Sequence, residues 1–390
     1  MTPAVVVLAY ERPEALARLL RSLDAAFYSP EVQVPLVISI DRSESIGGRE
    51  TVDVAKSFEW PRGPKTVVMR EEHLGVVRHF RAAGDLVRDY GALVLLEDDL
   101  TVAPPFYEYA SRVIDEYGLD DRIAGFCLYG LWFNGFTLDP FTPIEDGGDV
   151  FFLGVPHTQG LCFTAGQWEN LQPWFDAGPL QPHERLHPAF LRFGPDEWFP
   201  ALAAYLAGSG RFFCFPRVSL TVGWGDAGAH FDQGTSWFQT PIQLGRRSYA
   251  LLPMDDALAV YDGFFELVPD RLARLAPSIA GMEFDVDLNA TKQPANLVTQ
   301  NVLTTRPVRQ AVQRFGLVMY PPELNVAGGV AGEEIALARR EDVLWDEWSE
   351  ADARRRLHRY AWRHHRPSRR RTLRFMVAGV LAWLRRRRGR

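Results

Sequence analysis

The first hundred residues alternate between two patterns of apolar and polar positions. Residues 5–9 (VVVLA), 36–40 (LVISI), 66–69 (TVVM) and 92–96 (ALVLL) are short continuous apolar runs. Such runs mark strands buried on both faces. Between them, apolar residues recur at helical spacing: Pro13 opens a helix carrying Leu16, Leu19, Leu20 and Leu23, and residues 76–87 read as another. Strand–helix repetition with short connections predicts an α/β fold, a mostly parallel sheet with helices on both faces. Pro104 and Pro105 then start a helix reaching about Tyr117.

Beyond residue 125 the texture changes. Residues 125–234 are rich in Gly, Trp, Phe and Pro, and are expected to form aromatic loops that wall a pocket, not packed regular layers. Within them, 198–206 looks helical and 218–222 strand-like. Residues 241–350 are poorly patterned and are read as a C-terminal extension.

Charge separates a tail from the body. The net charge is −6, yet residues 351–390 hold 15 Arg against one Asp, leaving a body of −20. A tail this basic predicts an anionic partner. Its apolar run, residues 375–384, is too short to span a bilayer but is flanked by Arg369, Arg370, Arg371 and Arg374 and by Arg385 to Arg388. That pattern suits an amphipathic helix lying in an anionic membrane surface. Arginine clusters also grip nucleic-acid phosphates, but the apolar centre favours membrane over nucleic acid; a plain solvated helix is the remaining reading. Cys127, Cys162 and Cys214 show no CxxC or metal-finger spacing and read as buried thiols of a reducing cytosol. The apolar run at residues 5–8 is too short for a signal peptide and lacks a basic leader. The expected location is therefore cytoplasmic, peripheral on the inner face of the membrane.

Glu97-Asp98-Asp99 ends the fourth apolar run, at the carboxyl edge where α/β sheets bind ligands. Adjacent carboxylates repel, most where water is excluded, so a cation is expected to neutralise them. Mg²⁺ or Mn²⁺ suits oxygen ligands and leaves room for substrate phosphates. A solvated acidic turn is the plainer alternative.

The stretch EDDLTVAPPFYEYA, residues 97–110, resembles the acidic motif and following helix of the N-acetylglucosaminyltransferase I family of GT-A glycosyltransferases and its bacterial family-2-like relatives. AYERPE, SIDRSE, VVRHFRAAG, LGVPHTQGLCFTA and PDEW are weaker echoes in the matching order, and the likeness spans residues 5–233. The resemblance implies a GT-A-type Rossmann-like fold and an inverting, metal-dependent transfer of a sugar from a nucleotide-sugar, expected to be UDP-linked, to a hydroxyl acceptor; the basic tail adds the expectation of bacterial glycan or glycolipid assembly on a membrane-bound carrier. The resemblance also implies a transferase domain at 1–240, with 1–100 as nucleotide-binding half and 101–240 as acceptor and catalytic half. Residues 241–350 and 351–390 follow as extension and tail.

Carried over by position, Asp99 matches the direct metal ligand, with Glu97 and Asp98 beside the ribose and the metal's waters. Arg12 and Asp41 match nucleotide-contacting positions, and His79 one that approaches the base. Taken alone, Arg12 also reads as an exposed loop residue, Asp41 as a turn or helix cap, and His79 as a structural histidine. Asp196 matches the base that takes the acceptor's proton, with Glu197 as fallback; both also read as helix N-terminal acids. The Gly-rich loop 223–230 can hinge over substrate, and its His230 could complete a manganese site or be a surface residue. Trp132, Phe133 and Trp168 could stack on sugar rings or pack the core. Two other functional classes fit less well. A nucleotidyltransferase making the activated sugar needs a Gly-rich loop after the first strand, where this chain has Ala9-Tyr10-Glu11-Arg12-Pro13. The other is a non-catalytic sugar- or nucleic-acid-binding module.

Overall fold

The computed structural model describes residues 1–178, 180–194, 196–226 and 234–362. The amino-terminal third runs β1 (Ala4–Ala9), α1 (Pro13–Asp24), β2 (Leu36–Ile40), α2 (Ile46–Ser57), β3 (Lys65–Met69), α3 (Gly75–Gly84), α4 (Val87–Tyr90), β4 (Ala92–Glu97), β5 (Leu100–Val102) and α5 (Phe106–Tyr117). The middle adds β6 (Ile123–Cys127), β7 (Val150–Leu153), β8 (Leu161–Thr164), α6 (Ala165–Phe175), α7 (Phe199–Ser209), β9 (Phe212–Pro216) and β10 (Thr221–Gly223). The last part contributes β11 (Val260–Tyr261), α8 (Pro269–Leu275), β12 (Asp285–Asp287), β13 (Asn301–Thr304), β14 (Gln313–Phe315), α9 (Glu323–Ala327), β15 (Ile335–Arg339) and α10 (Glu347–Ala361).

One nine-stranded sheet dominates, in the order β11-β7-β9-β6-β8-β4-β1-β2-β3. The four strands expected from the sequence form its parallel half, β3-β2-β1-β4. β8 then pairs antiparallel with both β4 and β6, and β7 antiparallel with β9. Five of the eight pairings are parallel, so the sheet is mixed. Both faces are covered. Ala4, Val6 and Leu8 of β1 enter a core with residues of α3, α6 and α7, while Val5, Val7 and Ala9 enter another with α1, α2 and α5. This is the alternation that a two-sided strand requires. The result is a GT-A-type Rossmann-like sheet whose β1, β2 and β4 end on one edge.

Several expectations need correction. The aromatic segment 125–234 is not loop alone: between its loops it supplies the end of β6 and all of β7 to β9, with Phe126, Phe151, Phe152, Phe163, Phe213 and Phe215 all buried. Aromatic side chains suit strands, and burial on both faces hides the alternation that would have announced them. The helix expected over 76–87 breaks after Gly84 into α3 and α4. Gly84 lets α3 lie against α6, since a Cβ there would fall 2.1 Å from the Trp168 ring. Trp168 is accordingly core. The strand-like run 218–222 forms a ladder over Thr221–Gly223, with β5, and a single bridge from Ser219 to Ile242. The main sheet continues past residue 240, taking β11 as its edge strand. Residues 241–350 also build a second sheet, β12-β13-β15-β14. The three cysteines are free and buried, as expected. Among the described residues, no helix is long and apolar enough to cross a membrane.

Candidate active site

β4 delivers the acids into a tight turn. Glu97 closes the strand, Asp98 and Asp99 form the turn, and β5 leads away to pair with β10. The three carboxylates face different surroundings. Asp98 is buried; it accepts the Tyr10 amide at 3.0 Å and pairs with Arg12 Nη2 at 2.7 Å. Asp99 is more open and takes Arg12 Nη1 at 3.0 Å. Glu97 accepts the indole N–H of Trp198 at 3.3 Å. Arg12 thus clamps two acids of the turn, supplying from the chain itself part of the positive charge that a cation was expected to bring. Burial lifts the Asp98 carboxyl to about 7 despite the pull of Arg12. Burial, then the charges of Asp99 and Asp98, hold Glu97 well above the ordinary carboxylate range. For Arg12, burial is outweighed by Asp98 and Asp99, and its affinity for the proton rises.

Trp198 joins the acidic turn to the segment that holds Asp196 and Glu197. Its buried ring stacks on Phe80 of α3 at 3.9 Å and 7° while its N–H reaches Glu97. Asp196 is exposed and Glu197 half-buried, immediately before α7. The sequence marked only the two acids of PDEW; the tryptophan beside them makes the link.

On the other side of Arg12, a cavity of about 470 Å³ opens over the ends of β1 to β3, lined by Tyr10, Glu11, Arg42, Ser43 and His73 among others. The Tyr10 and His73 rings lie 5.2 Å apart. Glu11 has φ 46, a left-handed backbone that is uncommon outside glycine and found at functional sites. Its carbonyl approaches α2 so closely that a Cβ on Gly47 would sit 2.7 Å from the oxygen. Asp41 lies beneath this cavity with its acceptor positions filled. It takes the amides of Arg42 at 2.9 Å, Leu74 at 2.8 Å and Gly75 at 2.9 Å, and His73 Nδ1 at 3.0 Å. It thereby caps α3 from a distance, where Leu74 at the N-cap offers no side-chain bond. His79 is buried below, 2.8 Å from Ser39 Oγ, which also accepts from Arg70. Burial keeps its imidazole neutral.

A second cavity, about 390 Å³, lies beside the acidic turn and is lined by Thr101, Val222, Trp224, Thr235, Ser236 and Gln239 among others. The Trp224 amide donates to the Asp99 carbonyl at 3.1 Å, and Gln159 Oε1 accepts the Gly223 amide at 3.2 Å. Trp132 and Phe133 pack on Trp237 at 6.4 and 5.9 Å, at the margin of this cavity. His230 lies outside the described residues.

Among the described residues, no three His, Cys, Asp or Glu side chains form a metal cage. Asp99 is nonetheless the open carboxylate of the turn. A site for Mg²⁺ or Mn²⁺ often takes one or two carboxylates and leaves its other positions to water and substrate phosphate. The turn fits such an ion on those terms, through Asp99.

No family model matches the chain. Over 255 residues it is 24% identical to the alpha-1,3-mannosyl-glycoprotein 2-beta-N-acetylglucosaminyltransferase of Arabidopsis thaliana, covering 62% of this chain and 51% of that protein. The chain thus spans about half the length of this curated relative. Among solved structures, S. aureus TarS 1-349 in complex with UDP-GlcNAc is 13% identical with TM-score 0.34, over 56% of this chain and 59% of that one. GalNAc-T7 with UDP, GalNAc and Mn²⁺ is 14% identical with TM-score 0.38, over 55% and 42%. The mannosyltransferase PcManGT from Pyrobaculum calidifontis, in complex with GDP-Man and Mn²⁺, is 14% identical with TM-score 0.36, over 56% and 58%. The likenesses are distant, and the fold assignment stands on the sheet topology.

Proposed function

We propose that this chain is an inverting, metal-dependent glycosyltransferase that moves a sugar from a nucleotide-sugar to a hydroxyl acceptor. The reading is carried by the convergence on one sheet edge of the acidic turn and the Asp196-Glu197 segment, joined by the Trp198–Glu97 contact. The name of the plant relative favours an N-acetylglucosaminyl-type donor, which the motif resemblance implies is linked to UDP.

In this reading the nucleoside occupies the cavity lined by Tyr10, Glu11 and Arg42, and the base displaces the exposed His73 from Asp41. His79, neutral and bonded to Ser39, supports that wall from below. Asp99 would hold the divalent ion, with Glu97 and Asp98 as its neighbours in the turn, and His230 would be a further ligand. When bound, the ion supplies Lewis-acid stabilisation to the leaving diphosphate. Arg12 keeps its pair with Asp98 and offers its second edge to a phosphate oxygen. The acceptor hydroxyl gives its proton to the carboxylate of Asp196, or of Glu197, as its oxygen attacks the anomeric carbon from the face opposite the diphosphate. The C–O bond to phosphate breaks in the same step, which inverts the configuration. Residues 351–390 place the reaction on the inner membrane surface, where a glycan or lipid-linked acceptor is presented.

The test is a screen of nucleotide-sugars for Mn²⁺-dependent hydrolysis and transfer. Asp99→Asn is expected to lower turnover by about 100-fold or more and to weaken Mn²⁺-dependent UDP binding. Asp196→Asn should retain that binding and lose transfer. UDP binding that ignores both the metal and Asp99→Asn, or a covalent glycosyl-enzyme in the mass spectrum, would refute the proposal.

A further inference from the structure

The carboxyl end of α10 is clamped to two loops that hold apolar side chains out in solvent. Asp139 accepts from His358 Nδ1 at 2.7 Å and from Trp362 Nε1 at 3.1 Å. Tyr320 donates to the Pro140 carbonyl at 2.6 Å, and Tyr360 to that of Met319. These bonds bring residues 138–140 and 318–320 to the last turns of the helix. The apolar tips beside them stay exposed: Leu138 by 49%, Val318 by 61% and Met319 by 45%.

Leu138 also sits at φ 60, with its amide held by the Asn134 carbonyl at 2.8 Å. A left-handed backbone costs a non-glycine residue on the order of 1 kcal/mol. About half of this strained leucine is still left in water. Arg355 and Arg359, one turn apart, are exposed on the same last turns of α10 whose His358, Tyr360 and Trp362 hold these loops. Arg355 has its acid, Asp352, only at 3.8 Å. The chain then continues through residues 363–390 with 11 Arg and no acid.

We propose that this corner is a folded membrane-docking patch: Leu138, Val318 and Met319 enter the headgroup layer of an anionic bilayer while Arg355 and Arg359 pair with lipid phosphates. Charge complementarity selects the surface, because the body as a whole is acidic while this corner presents arginines and leads into the basic tail. The apolar tips select a bilayer over a nucleic acid, since they gain by leaving water and find no partner along a phosphate backbone. The inference rests on the membrane association proposed above, but not on the transfer chemistry. It adds a contact in the folded body to that of the tail. It also sets the bilayer beside the 134–140 loop, whose base at Phe133 packs on Trp237 and Phe238, each at 5.9 Å, near the second cavity.

The experiment is co-sedimentation of the full chain with vesicles of phosphatidylglycerol and phosphatidylcholine, and with phosphatidylcholine alone. Leu138→Asn/Met319→Gln tests the apolar tips, with asparagine chosen because it tolerates the left-handed backbone. Arg355→Glu/Arg359→Glu tests the charge. Each pair is expected to weaken binding to the anionic vesicles about tenfold, with unchanged Tm and unchanged nucleotide-sugar hydrolysis without vesicles. If both pairs bind as the parent does while replacement of Arg385 to Arg388 by serine abolishes binding, the patch is refuted and the tail acts alone. A parent chain that binds duplex nucleic acid and ignores vesicles also overturns it. Loss of vesicle binding in the patch variants, in a chain that hydrolyses no nucleotide-sugar, would keep the patch and reject the transferase.

Discussion

Arg12 and the acids it clamps set the local energetics of the candidate site. Removing the guanidinium leaves Asp98 buried with only the Tyr10 amide as partner. Arg12→Ala is therefore expected to cost about 2 kcal/mol in urea unfolding, and adding Asp98→Asn should restore much of that loss. An undiminished loss in the double variant would mean that the arginine acts elsewhere. Glu97 ties stability to pH. Its folded form keeps a proton that the unfolded chain releases at the ordinary value of 4.5. Stability from this group is thus fully present at acid pH and falls as pH rises through neutrality. Glu97→Gln should flatten the decline between about pH 5 and pH 8, read as Tm against pH. An unchanged slope would locate the linkage in another group. Both effects depend on burial and partners, and neither was legible in the letters EDD.

At the scale of elements, Trp198 couples the start of α7 to the end of β4. Trp198→Phe retains an aromatic face for Phe80 but removes the N–H that reaches Glu97. The expected outcome is a fall in kcat about tenfold with little change in Tm, because the stack survives and the positioning bond does not. Trp198→Ala should instead destabilise the fold by about 3–5 kcal/mol through the cavity it opens. A Phe variant with full kcat would reduce the tryptophan to packing. Elements were read from sequence where their pattern was unambiguous. The parallel half of the sheet is four apolar runs at their expected places, whereas β7 to β9 read as loop in the sequence because aromatic strands covered on both faces lack a polar beat.

Across the whole molecule, the second sheet is held by a buried ionic network. Arg306 is fully buried; it bonds Asp287 at 3.0 Å and the carbonyls of Ala290 and Lys292 at 3.0 and 2.8 Å, and lies over the Trp345 ring at 5.0 Å. Arg306→Ala strands Asp287 without its counter-charge and is expected to lower stability by about 3–5 kcal/mol, measured by thermal unfolding. Activity per folded molecule should stay near the parent's, since no residue of the candidate site belongs to the network. A proportional loss of kcat at full folding would reveal coupling between the second sheet and the site. None of this organisation was visible in residues 241–350, whose short strands pair with one another and carry charges inside.

The sequence by itself determined that strands buried on both faces build an α/β sheet and that three acids leave it at its carboxyl edge. Those properties are local: they follow from periodicity within ten residues and from where an apolar run stops. Only the tertiary structure decided which partners those acids keep, because Tyr10 and Arg12 reach them from the end of β1 and Trp198 from the start of α7. It also decided that Asp41 caps α3, a bond to backbone amides more than thirty residues away. Pairings at that separation depend on how the whole sheet closes, and no pattern along the chain records them.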